Sequence, residues 1–163
     1  MNEIVCATRG GEGSRAVQMA AIDQARETGN PLVFFYVVNL DRLGLIENGM
    51  EMAVHEEMMW LGKALLQVAH ARARAQGLDA RLVVRSGDVR DEICSYLIAH
   101  HASLLLLGAP RAATNTVFGD DPVERFASSI HDTTGVPVLV VRPELASEAS
   151  YTMWEDTRTN EEV

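Results

Sequence analysis

Two short apolar runs constrain the fold of this chain more than any other feature. Leu104-Leu105-Leu106-Leu107 stops at Gly108, and Val136-Pro137-Val138-Leu139-Val140-Val141 follows after one helical segment. Near-continuous apolar runs flanked by helical pattern belong to a parallel sheet covered on both faces. In that architecture ligands sit beyond the carboxyl ends of the strands, where strand order reverses. The loop after Gly108 is therefore the first place to look for function.

The rest of the chain reads as alternating strands and helices. Ile4 to Ala7 forms a short first strand that ends in the turn Arg9-Gly10-Gly11-Glu12-Gly13-Ser14. Ser14 is positioned to cap the next helix by accepting an orphan backbone N–H. Val17, Ala21 and Ala25 share one face of that helix, and Gly29 ends it. Leu32 to Val38, rich in β-branched and aromatic residues, is the second strand. The longest helix is expected over about 51–76, with Val54, Met58, Leu61, Leu65 and Val68 as its core face and Gly77 as its end. Ala80 to Val84 makes a third strand, and Asp88 caps a helix from Val89 to about His101. Asp120-Asp121-Pro122-Val123-Glu124 is a helix start with an acidic cap and proline in the first position. That helix buries Val123, Phe126, Ala127 and Ile130, and Gly135 closes it. The order βαβαβαβαβ, without internal repeat, implies an α/β sandwich with right-handed crossovers.

The 163 residues, 47% of them hydrophobic, suffice for one domain with a real core. Net charge is −9, which argues against nucleic acid or an anionic membrane as partner, since phosphates would be repelled. Five of those nine charges belong to the last twenty residues, where Glu144, Glu148, Glu155, Asp156, Glu161 and Glu162 face only Arg158. The organisation is thus a domain over 1–143 and an acidic tail over 144–163. No leader pattern opens the chain and no apolar run approaches the roughly 18 residues of a membrane span, so a cytoplasmic protein is expected.

The order and spacing of several motifs resemble the universal stress protein family across 1–143. They are Ala7-Thr8 before a Gly-rich turn, Tyr36-Val37-Val38-Asn39, Gly87-Asp88, Leu104 to Gly108, and Gly135-Val136-Pro137 running into Val141-Arg142-Pro143. The resemblance implies a fold like the adenine nucleotide alpha hydrolases, with a five-stranded parallel sheet of order 3-2-1-4-5. It implies a homodimer joined through the fifth strand at Val136, Val138 and Val140, an apolar edge that is an association liability unless paired. It also implies an adenine nucleotide site between strands one and four, framed here by Thr8, Arg9, Gly10, Val37, Gly108, Arg111, Gly119 and Asp120.

The chain departs from the ATP-binding pattern of that family at three positions. Arg9 stands where an aspartate meets adenine, Arg111 replaces a glycine, and Gly119-Asp120 replaces a Gly-Ser or Gly-Thr pair. A phosphate at a helix N-terminus uses the unsatisfied N–H groups and the positive dipole end. Asp120 and Asp121 put their own carboxylates there. Arg9 and Arg111 can either pair with those carboxylates or bind phosphate themselves. The expectation is a regulatory binding module rather than an enzyme, with a degenerate site that holds no cofactor tightly; ATP or AMP held through Arg9 and Arg111 is the alternative.

Other signals carry less. The turn 9–14 is superficially similar to the loop of ATP pyrophosphatases, with Arg9 and Gly13 in place of its serine and aspartate. Cys6 and Cys94 lack metal or redox spacing and read as small buried hydrophobes. His100-His101 suits the negative end of a helix dipole. No catalytic Ser/His/Asp or Cys/His set emerges from position. Met50, Met52, Met58, Met59 and Trp60 read as core filler. Tyr151, Met153 and Trp154 are too apolar for a solvating tail, which predicts docking on the body or on a protein partner.

Overall fold

In the computed structural model, residues 2–9, 12–43, 49–110, 122–143 and 150–155 are described. Strands β1 (Ile4–Ala7), β2 (Leu32–Val38), β3 (Arg81–Ser86), β4 (Leu104–Gly108), β5 (Val138–Arg142) and β6 (Ser150–Trp154) form one sheet of order β3-β2-β1-β4-β5-β6. Helices α1 (Glu12–Thr28), α2 (Glu51–Ala75), α3 (Val89–Ala99) and α4 (Pro122–Thr134) connect the parallel strands. The first five strands stand in the expected order, and all pairings among them are parallel.

Alternation along the strands builds two cores. Ile4, Cys6, Phe34, Leu106 and Val141 face α1 and α2, meeting Val17, Ala21, Ile22, Leu66 and Ala69. Val5, Val33, Phe35, Leu105, Leu107, Val138 and Val140 face α3 and α4, meeting Ile93, Leu97, Ala127 and Ile130. Small residues let the helices lie close to the sheet. A Cβ on Gly62 of α2 would stand 2.6 Å from Cδ1 of Tyr36, so this crossing requires glycine. At the ends, Gly29, Gly77 and Gly135 adopt positive φ just after α1, α2 and α4, and Asp88 accepts the Asp91 N–H at 3.0 Å.

Several expectations need correction. Helix α1 begins at Glu12, so Ser14 lies inside its first turn and does not cap it. The buried ridge of α2 is Gly62, Leu66, Ala69 and Ala73, one residue out of phase with the expected Leu61, Leu65 and Val68. That rotation leaves Met50, Met52 and Trp60 outside the core, with Met52 76% and Trp60 68% exposed. Val136 precedes β5, and Glu124 joins Ala127 and Ile130 as the buried ridge of α4.

The sheet has six strands because the tail returns. Antiparallel β6 pairs Trp154 with Val138 and Ser150 with Arg142, so the apolar part of the tail docks on the body. Residues 150–154 are Ser-Tyr-Thr-Met-Trp, β-formers that can sit on a pleated edge. Trp154 Nε1 donates to Glu124 Oε2 at 2.8 Å, and the Arg142 guanidinium lies 3.6 Å from Glu124 Oε1, which offsets the cost of burying that carboxylate. The edge expected to join a second copy at Val136, Val138 and Val140 is thus occupied by the chain's own strand. A partner reaches it only if β6 moves.

Replacing Trp154 by Phe keeps an aromatic side chain, though a smaller one, and removes the donor to buried Glu124. Loss of one such charged hydrogen bond costs about 1.5–3 kcal/mol, and each kcal/mol lowers the melting temperature by roughly 2–4 °C in a chain of this size. An unchanged melting temperature would mean that β6 is not seated on β5.

Candidate functional site

Strand β1 hydrogen-bonds to β2 on one side and β4 on the other, and Ala7 stands level with Phe35 and Leu107. Chain order reverses there, which opens a crevice at the carboxyl ends. The crevice is a cleft of about 660 Å³. Its floor comes from Ala7, Phe35, Val37, Leu107 and Gly108, and its walls from Met58 of α2, Val89 and Ile93 of α3, and Pro122, Val123 and Phe126 of α4. Thr8, Arg9, Ser14 and Asn39 supply polar groups. The first turns of α1, α3 and α4 all contribute lining, so three positive dipole ends lie at this rim.

The polar groups differ in burial and position. Thr8 is buried; its N–H donates to the Phe35 carbonyl at 3.0 Å, and its Oγ1 accepts from Gln18 Nε2 at 3.1 Å. Gln18 Oε1 in turn accepts from Arg72 of α2, so a buried polar chain runs from the cleft to the helix behind it. Asn39 Oδ1 accepts the Asp41 N–H, which fixes the turn after β2. Arg9 is exposed at the mouth and is the charged residue of the described lining, where no carboxylate appears.

The structure therefore brings together Thr8, Arg9, Val37 and Gly108 of the residues expected at the site. Gly10, Arg111, Gly119 and Asp120 lie outside the described residues, as does Asp121, so their proposed pairing does too. Sequence reading missed Met58, Val89, Ile93 and Val123 as lining. Their signal was available: each lies in the first turns of a helix that follows a strand's carboxyl end. Val123 and Phe126, expected in the core, are partly buried: they pack against the core beneath α4 and also line the cleft.

Other titratable groups lie elsewhere. At the opposite end of the sheet, buried Glu3 accepts from Arg81 Nη2 at 2.7 Å and from the Tyr96 hydroxyl at 3.2 Å. Arg81 also donates to that hydroxyl, and His100 stacks on the Tyr96 ring at 4.0 Å. Burial, then the Glu3 carboxylate, raises the Tyr96 pKa. Burial raises the Cys6 and Cys94 thiols as well, in keeping with unreactive core cysteines. Outside the cleft lining, His55 Nε2 lies 3.0 Å from Ser86 Oγ at the end of β3. Among the described residues no His, Cys, Asp and Glu group could hold a metal ion, and no helix is long and apolar enough to cross a membrane.

Comparison with known proteins agrees with this architecture. The model of the universal stress protein family matches residues 1–142. Among solved structures, the chain is similar to the universal stress protein UspA from Lactobacillus plantarum, with 16% identity, TM-score 0.66, and 85% of this chain and 96% of that one covered. It is similar to a universal stress protein in complex with cAMP, at 20% identity, TM-score 0.60, and 86% and 96% coverage. It is also similar to a family member from Arabidopsis thaliana with AMP bound, at 11% identity, TM-score 0.60, and 90% and 95% coverage. No curated protein matches the sequence.

Thr8→Val keeps the volume at the cleft but leaves the buried Gln18 amide short of an acceptor. The expected cost is about 1–3 kcal/mol of unfolding free energy, read by urea denaturation. A neutral result would show that the Thr8–Gln18 bond does not brace the site.

Proposed function

The chain belongs to the universal stress protein family, and from that premise we propose that it is a cytoplasmic, stress-linked regulatory module whose cleft binds a nucleoside monophosphate in preference to ATP, without chemistry on it. The observation that carries the reading is Arg9 at the mouth of an otherwise uncharged, largely apolar described lining. A planar base suits the apolar floor formed by Phe35, Val37 and Leu107. A single compact phosphate suits a guanidinium placed among helix N-termini.

The preference against ATP comes from the sequence around the cleft. By the family resemblance Arg111 takes the place of a glycine that would let backbone approach phosphates, and Asp120 and Asp121 add two carboxylates immediately before Pro122 in the sequence. A triphosphate carries more negative charge for such carboxylates to repel than a monophosphate held by Arg9 does. Relatives whose solved structures contain AMP or cAMP support the ligand class.

Calorimetric titration with AMP, ADP, ATP and adenosine tests this directly. AMP should bind more tightly than ATP, and Arg9→Ala should weaken AMP by about 10- to 100-fold, the worth of a charged hydrogen bond, while leaving adenosine unchanged. Micromolar or tighter ATP binding, or AMP binding indifferent to Arg9, would overturn the reading.

A further inference from the structure

Two walls of the cleft are held from behind by the C-terminal strand. Glu124 is buried in the first turn of α4, beside Pro122, Val123 and Phe126, which line the cleft. Its carboxylate accepts from Trp154 Nε1 of β6 at 2.8 Å and lies 3.6 Å from the Arg142 guanidinium of β5. Arg142, itself buried, also donates from Nη1 at 2.8 Å to the carbonyl of Pro110, which lines the cleft just past β4. It pairs with Ser150 at the start of β6. A carboxylate so buried depends on its donors, and taking one away leaves an oxygen unsatisfied. When β6 leaves β5, Glu124 Oε2 loses the Trp154 donor. Either the start of α4 then shifts toward water, or Arg142 turns fully onto Glu124 and releases Pro110. Each response moves a cleft wall.

We propose that β6 is a strap that holds Pro110 and the first turn of α4 in place, with Arg142 as the positioning residue, so that seating of β6 and ligand binding in the cleft favour one another. The proposal rests on the nucleoside monophosphate reading of the cleft and adds how that site is regulated. A ligand that meets loosened walls must order them at the expense of its own affinity. Coupling of this kind is reciprocal: the seated strand tightens the ligand, and the bound ligand holds the strand by the same factor. Strand β6 is suited to the part, because a five-residue strand at the sheet edge, outside the parallel core, opens at less cost than the strands between β3 and β5. Whatever displaces β6 from β5 therefore lowers the affinity of the cleft, and a filled cleft resists the displacement.

Calorimetry and amide hydrogen exchange on the full chain, well below its melting temperature, test the strap. Trp154→Phe removes the donor to Glu124, and Arg142→Lys keeps the charge but lacks the fork that reaches both Glu124 and Pro110. Each should weaken AMP roughly 5- to 50-fold, within the ordinary range of coupling between sites. Adenosine should weaken with it, in contrast to Arg9→Ala, because the apolar walls rather than the phosphate contact are disturbed. In the wild type, saturating AMP should slow exchange of the β6 amides by at least the factor lost in Trp154→Phe. A second arm needs no ligand. The Ala109 N–H, which donates to the Val141 carbonyl at 2.9 Å beside Arg142, should exchange faster in Trp154→Phe, and by more than the Cys6 N–H of the central strand. If the wild type binds no AMP, the ligand reading fails and this second arm alone decides the strap. Equal acceleration at Ala109 and Cys6 would report a merely stabilising strand and overturn the proposal. So would a lowered melting temperature with AMP affinity intact in both variants, or β6 exchange indifferent to bound AMP.

Discussion

The double pairing of β1 is the constraint from which the rest of the molecule follows. Its four residues are hydrogen-bonded to β2 and β4 at once, so both of its edges are satisfied and both of its faces are covered. The chain leaves β1 toward one half of the sheet and returns later to build the other half. Helices α1 and α2 therefore cover one face and α3 and α4 the other, and no helix can cross the carboxyl end of β1. The cleft is the space that this topology leaves open. Arg9 is exposed because it is the second residue past the end of that strand.

The end of the sheet opposite the cleft is closed in a different way. Glu3, Arg81, Tyr96 and His100 join the starts of β1 and β3 to α3, and Ser103 N–H donates to the Glu3 carbonyl at 2.8 Å just before β4. A buried carboxylate is tolerated there because it is paired and hydrogen-bonded. The β5–β6 pair meets a second buried acid, Glu124 of α4, which is shared by Arg142 and Trp154. Arg142 also donates to the carbonyl of Pro110, a residue of the cleft wall, at 2.8 Å. The tail strand and the cleft are thus tied through one guanidinium.

The strands of the parallel sheet were legible because burial on both faces demands uninterrupted apolar runs, and Leu104 to Leu107 has no other stable use. The helix ends were legible because Gly29, Gly77 and Gly135 answer a local requirement for positive φ. Strand β6 was harder to see. Its β-forming residues lie inside an acidic tail, and only the register against β5 reveals that Trp154 reaches Glu124. The phase of α2 was misread for a related reason. The helix has two apolar faces, and periodicity alone does not say which one meets the sheet; close approach of Gly62 to Tyr36 decides it. At the site, Thr8, Arg9, Val37 and Gly108 followed from strand ends, whereas the walls came from helix starts that a motif comparison does not weigh.

The central claim is that the carboxyl end of the sheet, rather than any other surface, receives a nucleoside monophosphate. Mapping amide chemical-shift changes during titration with AMP tests it most directly. The account predicts changes at Thr8, Arg9, Val37, Val38, Asn39 and Gly108, with none near Glu3, Arg81 or Tyr96 at the far end. Changes centred on that far end, or none at millimolar AMP, would contradict it.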